Sequence, residues 1–345
     1  MTTRESDGGP TDSTRMIGRV KRGLAIVGAA IMLVTAAAAR ADGSNPSGGS
    51  QLPSPVAGQR FGVGEIIVSY TDDSRQIRLP GRRAEPRQLK TVIRYPAATE
   101  PSGVDVLDAP PARSEGPFPL VVFAHGFDIT PAPYARLLRA WVRAGYVVAA
   151  PIFPLTNPYA PGGPDESDLV NQPTDVSFVI TEMLHGNARP QGVLSHLLNP
   201  DEIAVTGQSD GGSTALAAAD NAHYVDRRIR AAMILSGAMI PGLSGYTFPP
   251  PSPPLLAVQG TGDTVNAPQS TYHFLSLARR PKFLLSLLGA PHLGPYTDEQ
   301  PQLGIVERTT TAFLDRYLKH EAGAASRMRR AGNVPHVATL SRSNG

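Results

Sequence analysis

The chain has 345 residues, 41% of them hydrophobic, with 32 Lys or Arg against 29 Asp or Glu and no cysteine. That length is enough for one large hydrophobic core. Disulfides and thiolate metal ligands are excluded, and the near-balance of charge argues against a nucleic-acid-binding surface.

Arg15, Arg19, Lys21 and Arg22 precede an apolar stretch over 24–39, which closes on Ala39-Arg40-Ala41. A charged start, an apolar middle and a small-x-small end make a secretory leader, expected to be cleaved after Ala41. The alternative is an uncleaved membrane tether, although so short and Ala-rich a stretch is marginal for about 30 Å of hydrocarbon. The expected product is a secreted bacterial protein with no stable membrane anchor. Without 1–41, which hold six basic and three acidic residues, the remainder has no net charge. Residues 42–59, rich in Gly, Ser and Pro, are expected to be a flexible linker. Residues 60–320 are expected to form one folded domain. Residues 321–345, where Arg327, Arg329, Arg330 and Arg342 stand among Ala, Ser, Gly and Asn, are expected to be a disordered tail.

Within the domain, β-type runs over 64–70, 89–95, 120–124, 146–150, 203–206, 231–235, 255–258 and 283–287 alternate with helical patterns over 130–144, 174–185, 212–222, 267–278 and 309–320. The later runs are short and continuously apolar, as parallel strands covered on both faces are. A Pro- and Gly-containing segment joins the first two, which predicts an antiparallel start. The alternation predicts an α/β protein with a mostly parallel, eight-stranded sheet and helices on both faces.

The run over 203–206 leads into Gly207-Gln208-Ser209-Asp210-Gly211 and then an Ala-rich helix. G-x-S-x-G between a strand and a helix is the context of a nucleophile elbow, which presents Ser209 at the carboxyl edge of the sheet. A serine hydroxyl needs a base, and the base needs an orienting acid. Downstream, Gly262-Asp263 follows the seventh run and Pro291-His292 follows the eighth, so acid and base both fall at strand ends in the order Ser, Asp, His. His185, His196, His223, His273 and His320 have ordinary surface or core explanations. His336 belongs to the tail, and Asp220 and Asp226 fall at the far end of the helix after Ser209. The turn after the third run reads His125-Gly126-Phe127. Backbone N–H groups of Phe127 and Asp210 are the expected oxyanion donors, and His125 is expected to brace the turn. No H-E-x-x-H, G-x-G-x-x-G or Walker pattern occurs, so neither metal nor cofactor is expected.

These four segments, His125-Gly126-Phe127, Gly207 to Gly211, Gly262-Asp263 and Pro291-His292, resemble the α/β-hydrolases over residues 61–318. Arg75, then the run from Arg87 through Tyr95 and Pro96 to that turn, is similar to the branch holding platelet-activating-factor acetylhydrolases, chlorophyllases and cutinase-like polyester hydrolases. The resemblance implies a lipase or esterase with a serine triad. Two features depart from it: Asp210 stands where Met, His or Phe is more familiar, and the cysteine pairs of some secreted relatives are absent. The segment 237–254, stiffened by Pro249, Pro250, Pro251, Pro253 and Pro254, leaves no room for a large cap domain, so the loop over 153–173 is expected to wall an open cleft. The expected partner is a small-molecule or polymeric ester. Amide, peptide or thioester cleavage by the same triad is a rival, as is a non-catalytic extracellular binding protein. Nothing in the residues sets an oligomeric state.

Overall fold

Short apolar runs and helical stretches alternate along the chain as β1 (Gly62–Ile77), β2 (Glu85–Ala97), β3 (Asp105–Leu107), β4 (Phe118–Ala124), α1 (Ala135–Arg143), β5 (Val147–Ile152), α2 (Gln172–Ala188), β6 (Leu198–Gln208), α3 (Asp210–Asp220), β7 (Ile229–Leu235), β8 (Leu255–Gly260), α4 (Pro268–Leu277), β9 (Lys282–Leu287), α5 (Gly294–Thr297), α6 (Gln302–Tyr317), α7 (Ala324–Gly332) and β10 (Ala338–Arg342). The structure, a computed structural model, describes residues 60–279 and 281–342. The leader and linker expected over 1–59 lie outside the described residues.

All the strands join one sheet, in the order β10-β9-β8-β7-β6-β4-β5-β2-β1-β3. From β5 through β4, β6, β7 and β8 to β9 every pairing is parallel. β1 and β2 pair antiparallel, as the first two runs predicted, and β2 also pairs antiparallel with β5. Side chains alternate across the sheet because successive residues of a strand point to opposite faces. Leu120, Val122 and Ala124 of β4 enter the core with Val179 of α2, Leu216 of α3 and Phe274 of α4. Val121 and Phe123 enter the other, with Trp141 of α1, Tyr296 of α5, Phe313 of α6 and Met328 of α7. Burial on both faces explains why the central strands read as unbroken apolar runs.

Two expectations are corrected. The sheet has ten strands, not eight, because β3 and β10 extend its two edges. The stretch 321–345, expected to be a disordered tail, contains α7 and β10. Its few apolar residues are placed to count: Met328 and Ala338 are buried in the second core, and Ala324 is buried as well. The backbone of β10 pairs antiparallel with β9 from Ala338↔Leu287 to Arg342↔Phe283, covering what would otherwise be an open edge. Arg327 reaches Asp315 Oδ2 at 2.8 Å and Glu321 Oε2 at 2.6 Å, so part of the basic excess is spent in pairs with α6 and the turn after it.

Parallel order brings the carboxyl ends of β4, β6, β8 and β9 to one edge of the sheet, where sites form in folds of this class. A chain ending at residue 320 would bare the β9 edge and the Phe283 and Phe313 side of the core. Its melting temperature is expected to fall by about 5–10 °C, a loss of a few kcal/mol for a domain of this size. An unchanged melting curve would show that α7 and β10 contribute no packing.

Candidate active site

Ser209 lies between β6 and α3 with φ 58° and ψ −124°, in a region that side chains other than glycine avoid. Such a conformation costs about 1–3 kcal/mol and persists only where its surroundings over-determine it. Here they do. The Ser209 N–H donates to the Leu235 carbonyl at 2.9 Å, and the Ser209 carbonyl accepts the Ser213 N–H at 3.0 Å as α3 begins. Side chains at 207 and 211 would prevent the turn, since a Cβ on Gly207 would overlap the Gly211 backbone and one on Gly211 would overlap the Ala124 carbonyl. The helix therefore starts directly against the end of β4, with its amino end at the serine.

The three residues singled out from the sequence meet at this edge. His292, in the loop after β9, places Nε2 2.8 Å from Ser209 Oγ and Nδ1 2.8 Å from Asp263 Oδ2. Asp263, beyond the end of β8, is buried. Its Oδ1 accepts the N–H groups of Val265 and Asn266, each at 2.9 Å, and Oδ2 also accepts Gln259 Nε2 at 3.1 Å. A carboxylate so saturated with donors fixes the proton of His292 on Nδ1, which leaves the Nε2 lone pair toward the serine. Ser209 and His292 are only partly buried, so both residues stay within reach of solvent.

Phe127 stands in the turn after β4, and Asp210 is the first residue of α3. Among the described residues, the N–H of neither has a hydrogen-bond acceptor. His125 behaves as expected of a brace. It is fully buried, its Nε2 accepts the Phe153 N–H at 3.0 Å, and its Nδ1 lies 2.7 Å from the Gly126 carbonyl. Burial pulls it down to about 4, so it is neutral with both nitrogens engaged and has no lone pair to offer a substrate. The Asp210 carboxyl is pushed up to about 6, by burial first and by the charge of Glu166 second. Its Oδ2 is buried without a partner.

The cleft wall expected over 153–173 is held from three sides. Asp128 N–H donates to the Thr156 carbonyl at 2.8 Å, tying the wall to the Phe127 turn. Gln172 bridges Thr156 and Thr214 of α3 at 2.9 and 2.7 Å. Arg87 of β2 makes two bonds to Asp168, at 2.9 and 2.6 Å, and two to Asp175, at 2.8 and 2.7 Å, all of them buried. Four apolar side chains, Phe127, Tyr159, Val265 and Leu293, stand exposed on the loops that carry the turn, the wall, the acid and the base.

Sequence reasoning missed the polar residues behind the triad. Gln259 donates to Asp263 and to the Gly260 and Asn266 carbonyls, and is itself oriented by the Thr271 hydroxyl at 2.7 Å. Gln208 and Tyr134 form a second such set. The available signal was a glutamine at or near the buried end of a strand: Gln208 ends β6 and Gln259 stands one residue before the end of β8. A buried amide must find partners.

Residues 88–238 match the family model described as Chlorophyllase. No curated protein matches the chain significantly. Among solved structures, a ferulic acid esterase from Streptomyces cinnamoneus is similar with a TM-score of 0.56 at 20% sequence identity, over 78% of this chain and 93% of that one. At that identity the likeness speaks for the fold.

Proposed function

We propose that this chain is an α/β-hydrolase that cleaves carboxylic esters through an acyl-enzyme. One observation carries the proposal: His292 lies within 2.8 Å of both Ser209 Oγ and the Asp263 carboxylate. In the proposed cycle, Ser209 Oγ attacks the ester carbonyl as His292 Nε2 takes its proton, and the Asp263 carboxylate stabilises the resulting imidazolium. The N–H groups of Phe127 and Asp210 receive the oxyanion, each worth about 3 kcal/mol. His292 then returns the proton to the departing alcohol. Water, activated by the same imidazole, releases the acid and restores the serine. The exposed apolar side chains around the triad suit an ester with apolar flanks. The match to the Chlorophyllase model supports ester over amide.

p-Nitrophenyl esters of graded chain length, assayed beside an anilide, test this. Wild type is expected to turn over the esters and to be labelled by a fluorophosphonate, and Ser209→Ala is expected to lose about 10⁴-fold or more in kcat. Folded protein that is neither active nor labelled would favour a binding role.

Above about pH 6 Asp210 carries a negative charge next to its own oxyanion-binding N–H. That charge opposes the transition state, and below the same pH the opposition is lost. The ratio of kcat/KM for Asp210→Asn over wild type is therefore expected to climb from about one at pH 5 to about ten at pH 8, as a loss of roughly 1.4 kcal/mol of repulsion would give. A ratio independent of pH would remove Asp210 from the oxyanion's surroundings.

Export by the leader over 1–41 belongs to the same proposal. The protein recovered from culture medium is expected to begin at Asp42, whereas an intact amino terminus in the membrane fraction would mean a tether.

A further inference from the structure

We infer that Gln208, the residue between Gly207 and the nucleophile, is a positioning residue that locks the His292 loop to the nucleophile strand, with Tyr134 as its anchor. The inference rests on the proposed triad chemistry. Gln208 closes β6 and is almost fully buried, yet its amide spans to another loop. Its Nε2 donates to the His292 carbonyl at 3.0 Å and lies 3.3 Å from His292 Nε2, the nitrogen that must take the serine proton. Its Oε1 accepts the Tyr134 hydroxyl at 2.7 Å. A carbonyl can only accept, so the amide orientation is fixed by the His292 contact, and Tyr134 is the donor on the other side.

Tyr134 cannot easily yield. It is fully buried, and its ring packs against Phe123 of β4 with centroids 4.9 Å apart. Gly126 records the same path from the other side. A Cβ there would come within 3.0 Å of Gln208 Oε1 and 3.2 Å of Ser209 Cβ, so the oxyanion turn runs directly against this amide. A single side chain thus touches the nucleophile strand, the oxyanion turn and the base.

Two consequences separate positioning from mere packing. First, holding the base in reach of the serine matters for the chemical step and little for substrate affinity. A displacement of about 1 Å in such a group costs on the order of 100-fold. Second, a charge placed at this amide acts on His292 directly. A carboxylate within about 4–6 Å favours the imidazolium and moves the imidazole's titration upward.

The test uses the full protein with a neutral p-nitrophenyl ester, with melting curves and fluorophosphonate labelling for every variant. Gln208→Leu is expected to lower kcat about 10–100-fold with KM changed less than about threefold. Tyr134→Phe, which frees the amide without opening a cavity, is expected to lower kcat by a smaller factor, and the double variant to be no worse than Gln208→Leu alone, as two members of one chain of bonds require. Gln208→Glu, nearly isosteric, is expected to move the acid limb of kcat/KM up by about one pH unit. Wild-type kcat in folded Gln208→Leu, additive losses in the double variant, or an unmoved acid limb in Gln208→Glu would each overturn the inference. If Ser209→Ala keeps full activity, the triad chemistry itself fails and the inference falls with it. If Ser209 proves essential while the Gln208 variants match wild type, only the inference falls.

Discussion

The site depends on one close approach, that of α3 to the end of β4 across Gly207 and Gly211. Because neither position bears a side chain, the helix begins where the strand stops, and the intervening Ser209 is driven into a backbone conformation it would not choose. The strain is not free: at about 1–3 kcal/mol it is a sizeable share of a net stability of about 5–15 kcal/mol. The return is geometric. The hydroxyl stands clear of the sheet edge, and the unpaired N–H of Asp210 lies beside it. Around that turn the remaining parts need only reach in, which the loops after β8 and β9 do with a carboxylate and an imidazole.

Precision in the rest of the site comes from buried polar groups rather than from apolar packing. Gln259 holds the acid, Gln208 holds the loop of the base, and Arg87 holds the cleft wall through Asp168 and Asp175. Burying an ion network of this kind is weak evidence for stability, since desolvation offsets much of the attraction. Its effect is on shape. Apolar side chains tolerate small shifts, whereas a bidentate guanidinium–carboxylate pair has one good geometry. The wall over 153–173 has no regular sheet or long helix of its own, so such directional contacts are what keep it in one place against α3.

The fold and the meeting of Ser209, His292 and Asp263 were legible in the sequence because each left a local mark. Parallel strands buried on both faces must be apolar throughout, and Ser209, Asp263 and His292 each follow such a run at a glycine- or proline-marked turn. The carboxyl-terminal α7 and β10 left no such mark. Their apolar content is carried by Ala324, Met328, Ala338 and Leu340, spread among arginines, and composition alone could not reveal that β9 needed an edge partner. The three residues of β3 are too short to show a period. Gln208 and Tyr134 were unreadable for a different reason. Each is an ordinary residue whose meaning lies in a partner more than seventy positions away.

Two features at the nucleophile act in opposite directions on the same charge. The amino end of α3 presents the equivalent of about half a positive charge, which favours an oxyanion. Asp210, one residue on, brings a carboxylate that feels Glu166, a charge of the same sign. A repulsion of roughly 1.4 kcal/mol between that carboxylate and an oxyanion would offset about half of one oxyanion hydrogen bond. The ionised carboxylate therefore works against what its own N–H contributes. Burial counteracts this by holding the carboxyl up at about 6, so that the neutral form persists into mildly acid solution. Below about pH 6 the amino end of α3 acts unopposed by this side chain, and above it the carboxylate works against the helix end that it begins.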